Sequence, residues 1–588
     1  MLCMTVMAYS SFVFFPRWNK QTFEATISWD VAGYYWYLPS VFIYKDLKHQ
    51  AFKDAVMKKY HPVDGFQQGY QLPNGNYVMK YSSGTAIMYL PFFTAAHLAA
   101  GALGYPRDGF SAPYQLSIQI GGFLIAIMGL WYLRKLLLRF YTDKVVAVVL
   151  ALLVIGTNYL NYSVIDTGMS HNWLFTLYVF LLLNTIYFHE TYKLKYAIRT
   201  GLLVGLATLT RPTEIISCLI PLLWGMEGIS FTSIRKQISL LLAQYRNLLI
   251  AGICAAGMIS IQLIYWKYVS GHWIVYSYQD QRMYFRSPNF MDYTFSYRCG
   301  WLRYCPMMML AFVGLLPFLF KGKNKVAITT FFLLNYYLVC AWSIWWYGGR
   351  AMVQSYPVLM FPLASLVSLA FDKKLLLWLL TPVFVVFAYL NIWIVYQYHK
   401  GNLYDADTMT SAYYWRVVGR WSAAKNIVSL KDYPDLFEGT PTNEKLIWQN
   451  DFEMDTTANA INHTPAIQGN RSFELNEHST FLKEYKFPYS GGPAQWLRFQ
   501  ADIRCWQVEG DTWLMAQMMG RIYKDGKMKK QSMLRVYRLL TDSTTKTIPI
   551  YMNVEHESFD SISVCFWNAQ GYKTLLIDNV KVYSFDKK

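Results

Sequence analysis

The stretch SGTAIMYLPFFTAAHLAAGAL, Ser83 to Leu103, decides how this chain is threaded. It is apolar and long enough to cross a bilayer, which takes about 20 residues. Charge parity argues against a crossing. With Ser83–Leu103 laid on the outer surface, Tyr114–Leu133 crosses inward and ends at Arg134, Lys135, Arg139 and Lys144. Val145–Tyr159 then crosses out, and Asn172–Phe188 returns to Lys193, Lys195 and Arg199. Ala197–Met226 reads as a hairpin of two short helices broken at Arg211-Pro212, ending before Arg235, Lys236 and Arg246. Leu248–Tyr268 crosses out, Cys305–Phe320 returns to Lys321, Lys323 and Lys325, and Val326–Trp346 crosses out. Met352–Phe371 returns to Lys373 and Lys374, and Leu375–Tyr396 crosses out again. Every lysine-rich short loop then lies on one face, as the positive-inside rule requires. With Met1–Pro16 as a retained first helix, the expectation is about eleven spans, N-terminus inside and C-terminus outside.

Composition agrees with a membrane protein. Hydrophobic residues make up 54% of the 588 and charged residues only 15%, too apolar for a large soluble protein. Aromatics reach 18%, which suits wide interfacial belts. The formal charge of +18 sits mostly between apolar runs, so it reports topology and anionic lipid. No zinc-finger, helix-turn-helix or arginine-rich pattern suggests nucleic acid as a partner. The eight cysteines contain no CxxC pair, so a cysteine metal site is not expected. Cys299 with Cys305, and Cys505 with Cys565, are disulfide candidates that spacing alone does not decide.

Upstream of the opening stretch lies an outer loop, residues 20–113, that begins with SWDVAGYYWYLP, Ser28 to Pro39. Asp30 stands there beside Trp29, Tyr34, Tyr35, Trp36 and Tyr37. A carboxylate shielded by rings where a chain leaves a membrane suits a general base. The competing reading is an interfacial aromatic belt around an incidental acid. Lys45 to Lys80 is polar, with PVDG and LPNG turns. The outer loops also carry Asp166, His171, Arg211, Arg282, Arg286, Arg298, Arg303 and Arg350. Arginine forks onto phosphate oxygens, so acids and arginines gathered on one face point to an outer phosphate-binding cavity. Arg211 before Pro212 is a charge at a helix break, costly unless it lines a polar cavity. Asp108 in YPRDGF reads as a turn residue, with a second acid as the alternative.

Downstream, composition changes. Residues 1–400 form the membrane body, 401–445 a partly helical linker containing SAYYWRVVGRW, and 446–588 an all-β domain. In the last, WLRFQADIRCW, WLMAQMMGRIY, SISVCFW and LLIDNVKVYSF alternate between turn residues. That spacing predicts an antiparallel β-sandwich.

Taken together, Asp30 in WDVAGYYWYLP, KYSSGTAIMYLPFF from Lys80, MSHNWLF from Met169, LTRPTE from Leu209 and WWYGGRAMVQSYP from Trp345 resemble the GT-C membrane glycosyltransferases. The likeness is greatest to bacterial enzymes similar to protein O-mannosyltransferases and lipid A aminoarabinose transferases. It covers roughly the first 400 residues, and its weight lies in the order and shared face of motifs that are individually weak. The resemblance implies a sugar donor on a polyprenyl phosphate (undecaprenyl in a bacterial cell envelope) and an extracytoplasmic glycan, lipid or protein acceptor. It implies Asp30 as the base. It places Lys80, Arg211, Arg350, His171, Asp166, Tyr34 and Tyr35 in the substrate-binding set, with no cofactor. No DxD pair flanks Asp30, which weakens a metal-dependent, nucleotide-sugar mechanism. It further implies the bacterial inner membrane, with the C-terminal domain on the periplasmic side.

The terminal sandwich resembles a jelly-roll carbohydrate-binding module, with NDFE, Asn450–Glu453, and LLIDNVKVY, Leu575–Tyr583, as its first and last strands. Asp451 and Asp578 are the candidates for a structural calcium there. From a different class, a transporter or flippase of a lipid-linked glycan would need the same basic cavity without the chemistry, yet the hairpin broken at Arg211 has no partner copy. A third reading, a membrane anchor for a glycan-binding domain, leaves about eleven spans where one would hold.

Overall fold

The computed structural model describes residues 1–588 except 344, 456–465, 490–493, 507–514, 541 and 569–573. The chain divides into two compact units, Met1–Asn402 and Leu403–Lys588.

The first unit is helical. Among the described residues, five of its helices are long and apolar enough to cross a membrane: Gly84–Ala102, Ala112–Leu137, Tyr245–Ser270, Tyr347–Asp372 and Lys374–Gly401. Met307–Lys321 and Lys325–Ala341 are shorter apolar helices. The outer faces of these helices are apolar yet unburied, with Leu375 75% and Trp378 71% exposed, the inverse of a water-facing helix. Gly84–Ala102 meets the length and composition of a span, so its expected surface position rests on charge parity alone. The expected hairpin is broken where it was read: Leu194–Thr210 is helical, Arg211 is extended, and a 3-10 segment Pro212–Cys218 leads into Leu219–Leu223. Pro212 disfavours the α conformation at Arg211 and itself starts the next helix. Helix Leu194–Thr210 lies hard against Tyr245–Ser270 because Gly201 has no side chain; a Cβ there would sit 2.2 Å from the Ala251 carbonyl oxygen.

The outer loop folds over this body. Short helices Trp29–Tyr35 and Tyr37–Phe42 follow the N-terminal segment, and a hairpin of β1 (Gly69–Gln71) and β2 (Tyr77–Met79) ends just before Lys80. Aromatic packing fixes it: Trp36 is fully buried against Phe52, Phe66 and Phe110. Tyr35 belongs to the same packing, its hydroxyl donating to the Gly109 carbonyl at 2.5 Å and its ring against Tyr89 and Phe93.

Among the described residues, the second unit holds two antiparallel sheets. One is ordered β5-β10-β7-β8 and the other β3-β11-β6-β9, with short β4 paired to β11. The strands are β3 (Pro441–Asn450), β4 (Phe473–Leu475), β5 (Phe481–Pro488), β6 (Trp496–Cys505), β7 (Gln517–Lys524), β8 (Lys527–Arg535), β9 (Lys546–Asn553), β10 (Ser561–Trp567) and β11 (Leu575–Lys587). Alternating residues of both sheets, among them Leu497, Phe499, Ile550, Ile577, Met518, Ile522 and Val564, form one core. This is the expected sandwich packing.

Three boundaries differ from the sequence reading. The expected linker belongs to this unit: buried Asp432 accepts from Arg535 at 2.5 Å and Arg538 at 3.2 Å, which ties it to the sandwich. The first strand is Pro441–Asn450; Asp451 to Glu453 turn away from it, because Asn450 Oδ1 takes the Phe452 N–H at 2.8 Å. In WLMAQMMGRIY, β7 begins at Gln517, while Trp513 and Leu514 lie outside the described residues. None of the eight cysteines is bridged to another; Cys305 Sγ lies 3.6 Å from Tyr356 Oη and Cys505 Sγ 3.1 Å from Tyr537 Oη.

Candidate active site

A cavity of about 420 Å³ opens in the helical unit. It is within the size range of small-ligand sites, roughly 300–1,000 Å³. Asp30, Tyr34, Lys80, His171, Arg211 and Arg350 line it together. Five separate segments of sequence therefore converge on one space. Aromatic rings complete the wall, including Trp266, Tyr278, Trp342, Trp345 and Trp346. Such rings suit stacking on the apolar face of a sugar.

Asp30 sits in the first turn of helix Trp29–Tyr35. The preceding Trp29 has φ +47°, a left-handed conformation uncommon outside glycine. Two hydrogen bonds hold it there: its N–H donates to the Pro62 carbonyl at 3.1 Å, and its own carbonyl accepts from Gln68 Nε2 at 2.7 Å. The carboxylate has one partner on each oxygen. Arg350 Nη2 meets Oδ2 at 2.8 Å and Tyr81 Oη donates to Oδ1 at 2.6 Å. Burial pushes the Asp30 carboxyl up, but Arg350, the Tyr81 hydrogen bond, Lys80 and Arg211 outweigh it and hold it below its ordinary value. The side chain stays 23% exposed, so unused lone pairs can meet an acceptor group.

Arg350 follows two left-handed glycines, Gly348 at φ +59° and Gly349 at φ +63°. Three consecutive carbonyls of this turn are pinned by side chains: Tyr347 O by Tyr162 Oη at 2.9 Å, Gly348 O by Asn158 Nδ2 at 2.7 Å, and Gly349 O by Tyr293 Oη at 2.9 Å. The guanidinium is thus carried on a backbone that its neighbours fix.

Lys80 leaves the β1–β2 hairpin with its N–H on the Gln68 carbonyl at 2.8 Å and its own carbonyl on Ser277 Oγ at 2.7 Å. Burial pushes its ammonium below the ordinary value, with Asp30 and Asp280 acting the other way. Among the described residues neither Lys80 nor Arg211 has a carboxylate within ion-pair distance, whereas Arg350 does. Arg211 instead reaches Gln354 Oε1 at 3.4 Å, beside His171.

Two of the expected site residues stand elsewhere. Tyr35 is committed to the core of the outer loop, because its ring faces away from the cavity-lining side of its short helix. Asp166 is ion-paired to Arg17 and accepts from Asn161 Nδ2 at 2.9 Å. Arg17 also gathers the Glu24 and Ala25 carbonyls and Ser28 Oγ, so this pair clasps the start of the outer loop. Asp108 is a turn residue, accepting the N–H groups of Phe110 at 3.0 Å and Ser111 at 3.1 Å and pairing with Lys59 at 2.9 Å. Asp578 spends its oxygens on Gln468 N–H, Ser472 Oγ and Asn579 N–H. Among the described residues there is no group of three or more His, Cys, Asp or Glu arranged to hold a metal ion.

Sequence reasoning missed Tyr81, Glu214 and Gln354, all of which line the cavity. Each lies inside a motif already quoted for a neighbour: KYSS, LTRPTE and WWYGGRAMVQSYP.

No family model matches the chain. No curated protein matches it. Among solved structures, the archaeal oligosaccharyltransferase AglB from Archaeoglobus fulgidus, in complex with an inhibitory peptide and a dolichol-phosphate, matches at 12% identity and TM-score 0.36. That match covers 67% of this chain and 53% of AglB. The arabinosyltransferase EmbB from Mycobacterium smegmatis matches at 9% identity and TM-score 0.38, over 99% of this chain and 64% of EmbB.

Proposed function

We propose that this chain is an integral membrane glycosyltransferase of the GT-C type. It moves a sugar from a polyprenyl-phosphate donor to an acceptor outside the cytoplasm, a glycan, lipid or protein, with inversion at the sugar carbon. The observation that carries the reading is the charge arrangement in the cavity: Asp30 is held by Arg350 and Tyr81, Glu214 by Tyr178 and Gln354, and two cations, Lys80 and Arg211, stand without carboxylate partners among the described residues. An anion is the natural complement of those two cations, and the aromatic wall suits a sugar.

In this mechanism Asp30 takes the proton of an acceptor hydroxyl or amine. The freed lone pair forms the new bond to the anomeric carbon as the bond from that carbon to the phosphate oxygen breaks. Lys80 and Arg211 bind the charge that develops on the departing lipid phosphate. Arg350 holds the carboxylate in place, at the cost of making it a weaker base, and Tyr81 orients its other oxygen. The protein sits in a bacterial inner membrane with about eleven spans. The second unit is a periplasmic jelly-roll sandwich that engages glycan.

The test is mass spectrometry of envelope glycans and polyprenyl-phosphate sugars in three strains: a deletion, the deletion with the wild type restored, and the deletion with Asp30→Asn. The expected result is a glycan short of one sugar with accumulated lipid-linked donor, equally in the deletion and in Asp30→Asn. A wild-type profile in the Asp30→Asn strain would make transport of a lipid-linked glycan the better reading.

A further inference from the structure

Along the cavity wall runs a hydrogen-bond chain that starts at a buried carboxyl group. Glu214 is 1% exposed. Tyr178 Oη donates to its Oε2 at 2.5 Å, and Gln354 Nε2 donates to its Oε1 at 2.5 Å. With its nitrogen donating to Glu214, the Gln354 amide turns its oxygen toward His171. That oxygen lies 2.7 Å from His171 Nδ1 and 3.4 Å from Arg211 Nη1. An amide oxygen has only lone pairs to offer, so the bond requires the proton on Nδ1. The 3.2 Å between Arg211 Nη1 and His171 Nδ1 is then two donors converging on one oxygen, not a bond between them. The other ring nitrogen, Nε2, is left as an acceptor. It makes no hydrogen bond among the described residues, and His171 lines the cavity.

We propose that His171 is a specificity-determining residue: locked with Nδ1 protonated by Gln354 and Glu214, it offers the Nε2 lone pair to a hydroxyl or N–H of the transferring sugar. Glu214 and Gln354 are positioning residues that act through it. A phosphodiester carries no proton to give, so Nε2 reads the sugar while Lys80 and Arg211 read the phosphate. The sugar as partner rests on the polyprenyl-phosphate-sugar reading; the protonation pattern does not. A site that accepts from a substrate hydroxyl rejects an analogue lacking it, because its own lone pair is left buried and unmet.

The test uses the full chain in lipid nanodiscs, labelled with 15N at histidine, with the His171 signals assigned by their loss in His171→Gln. The expected result is a wild-type ring protonated at Nδ1 alone, and mixed protonation in Gln354→Leu and Glu214→Leu. Transfer is then read with the lipid fraction extracted from cells lacking the chain as donor. His171→Gln, whose amide oxygen can stand near the Nε2 position, is expected to transfer about tenfold faster than His171→Leu. A wild-type ring protonated at Nε2 in an active enzyme overturns this proposal alone, as does an unchanged ring in Gln354→Leu or equal transfer by the two His171 variants. Absence of transfer by the wild type overturns the donor reading, and with it the sugar as the partner of Nε2, while the NMR signals still decide the relay.

Discussion

The Asp30 carboxylate and the Arg350 guanidinium meet at 2.8 Å, each about a quarter exposed, one from the first outer loop and the other from the start of a late helix. Either side chain alone would be an ordinary interfacial charge. Together they give the cavity an ionised acid of fixed orientation, and leave Lys80 and Arg211 as the cations still to be met. The predictions below follow from that division of labour.

Asp30→Asn keeps the Tyr81 contact and the size of the side chain but removes the base. Transfer is expected to fall by about 10²–10⁴-fold, with the thermal unfolding midpoint lowered no further than in Arg350→Gln, since both changes remove the same ion pair. Unimpaired transfer by this variant would falsify the role assigned to Asp30.

Because the surrounding cations hold the Asp30 carboxyl below its ordinary value, the acid limb of the pH–rate profile is expected below the usual carboxylate range of about 3.9–4.3. In Arg350→Gln the main counter to burial is gone, so that limb moves to higher pH. The stability that the pair contributes is present above the ordinary carboxylate value and is lost as pH falls through the lowered one. The difference in unfolding midpoint between wild type and Arg350→Gln should therefore shrink on acidification. A midpoint difference that grows on acidification contradicts this account.

Lys80→Ala and Arg211→Gln each remove a charge-assisted contact from an anion. Binding of undecaprenyl phosphate to the chain in nanodiscs is expected to weaken by about tenfold or more in each variant, and less steeply so in high salt. Equal affinity across wild type and both variants would move the phosphate elsewhere.

Gly349→Ala tests the turn that carries Arg350. The left-handed backbone alone costs about 1–2 kcal/mol for an L-residue. The added Cβ would also lie 2.5 Å from Trp301 Cβ and 2.8 Å from Tyr293 Oη. Gly75→Ala shares the positive φ but has open space around it. Transfer should fall in the first and stay at the wild-type rate in the second; parallel behaviour would show that only backbone strain matters.

In the second unit, Phe499→Ala is expected to cost about 3–5 kcal/mol. Hydrogen exchange on the full chain should show lost protection within 403–588. Trp378→Ala, on the apolar outer face of its helix, is expected within about 0.5 kcal/mol. Protection lost evenly along the whole chain would mean that the two units unfold as one.

The sequence made the chemistry-bearing residues visible wherever a charge sat in an apolar setting. Asp30, Arg211 and Arg350 stand out for that reason, and all three line the cavity. Local alternation likewise announced the strands of the sandwich, since period 2 is a property of neighbouring residues. What stayed hidden depends on partners distant in sequence. Asp166 reads as a site residue in the sequence, but its partner Arg17 lies far upstream. Tyr35 was grouped with Tyr34 as a neighbour, although adjacent residues on a helix point in different directions. Gln354 and Glu214 are ordinary polar residues until folding sets them 2.5 Å apart. The linker looked like a linker because Asp432 binds arginines that follow a hundred residues later.

The scattering of the cavity charges along the chain also has a consequence for biogenesis. Asp30 emerges from the ribosome early, whereas Arg350 arrives only with the late helix that begins at Tyr347. Until then Asp30 has no Arg350 to pair with, and the cavity lacks one of its walls. A chain halted anywhere before that turn lacks the Arg350 side of the cavity. The cavity is therefore complete only once the helical unit is nearly whole.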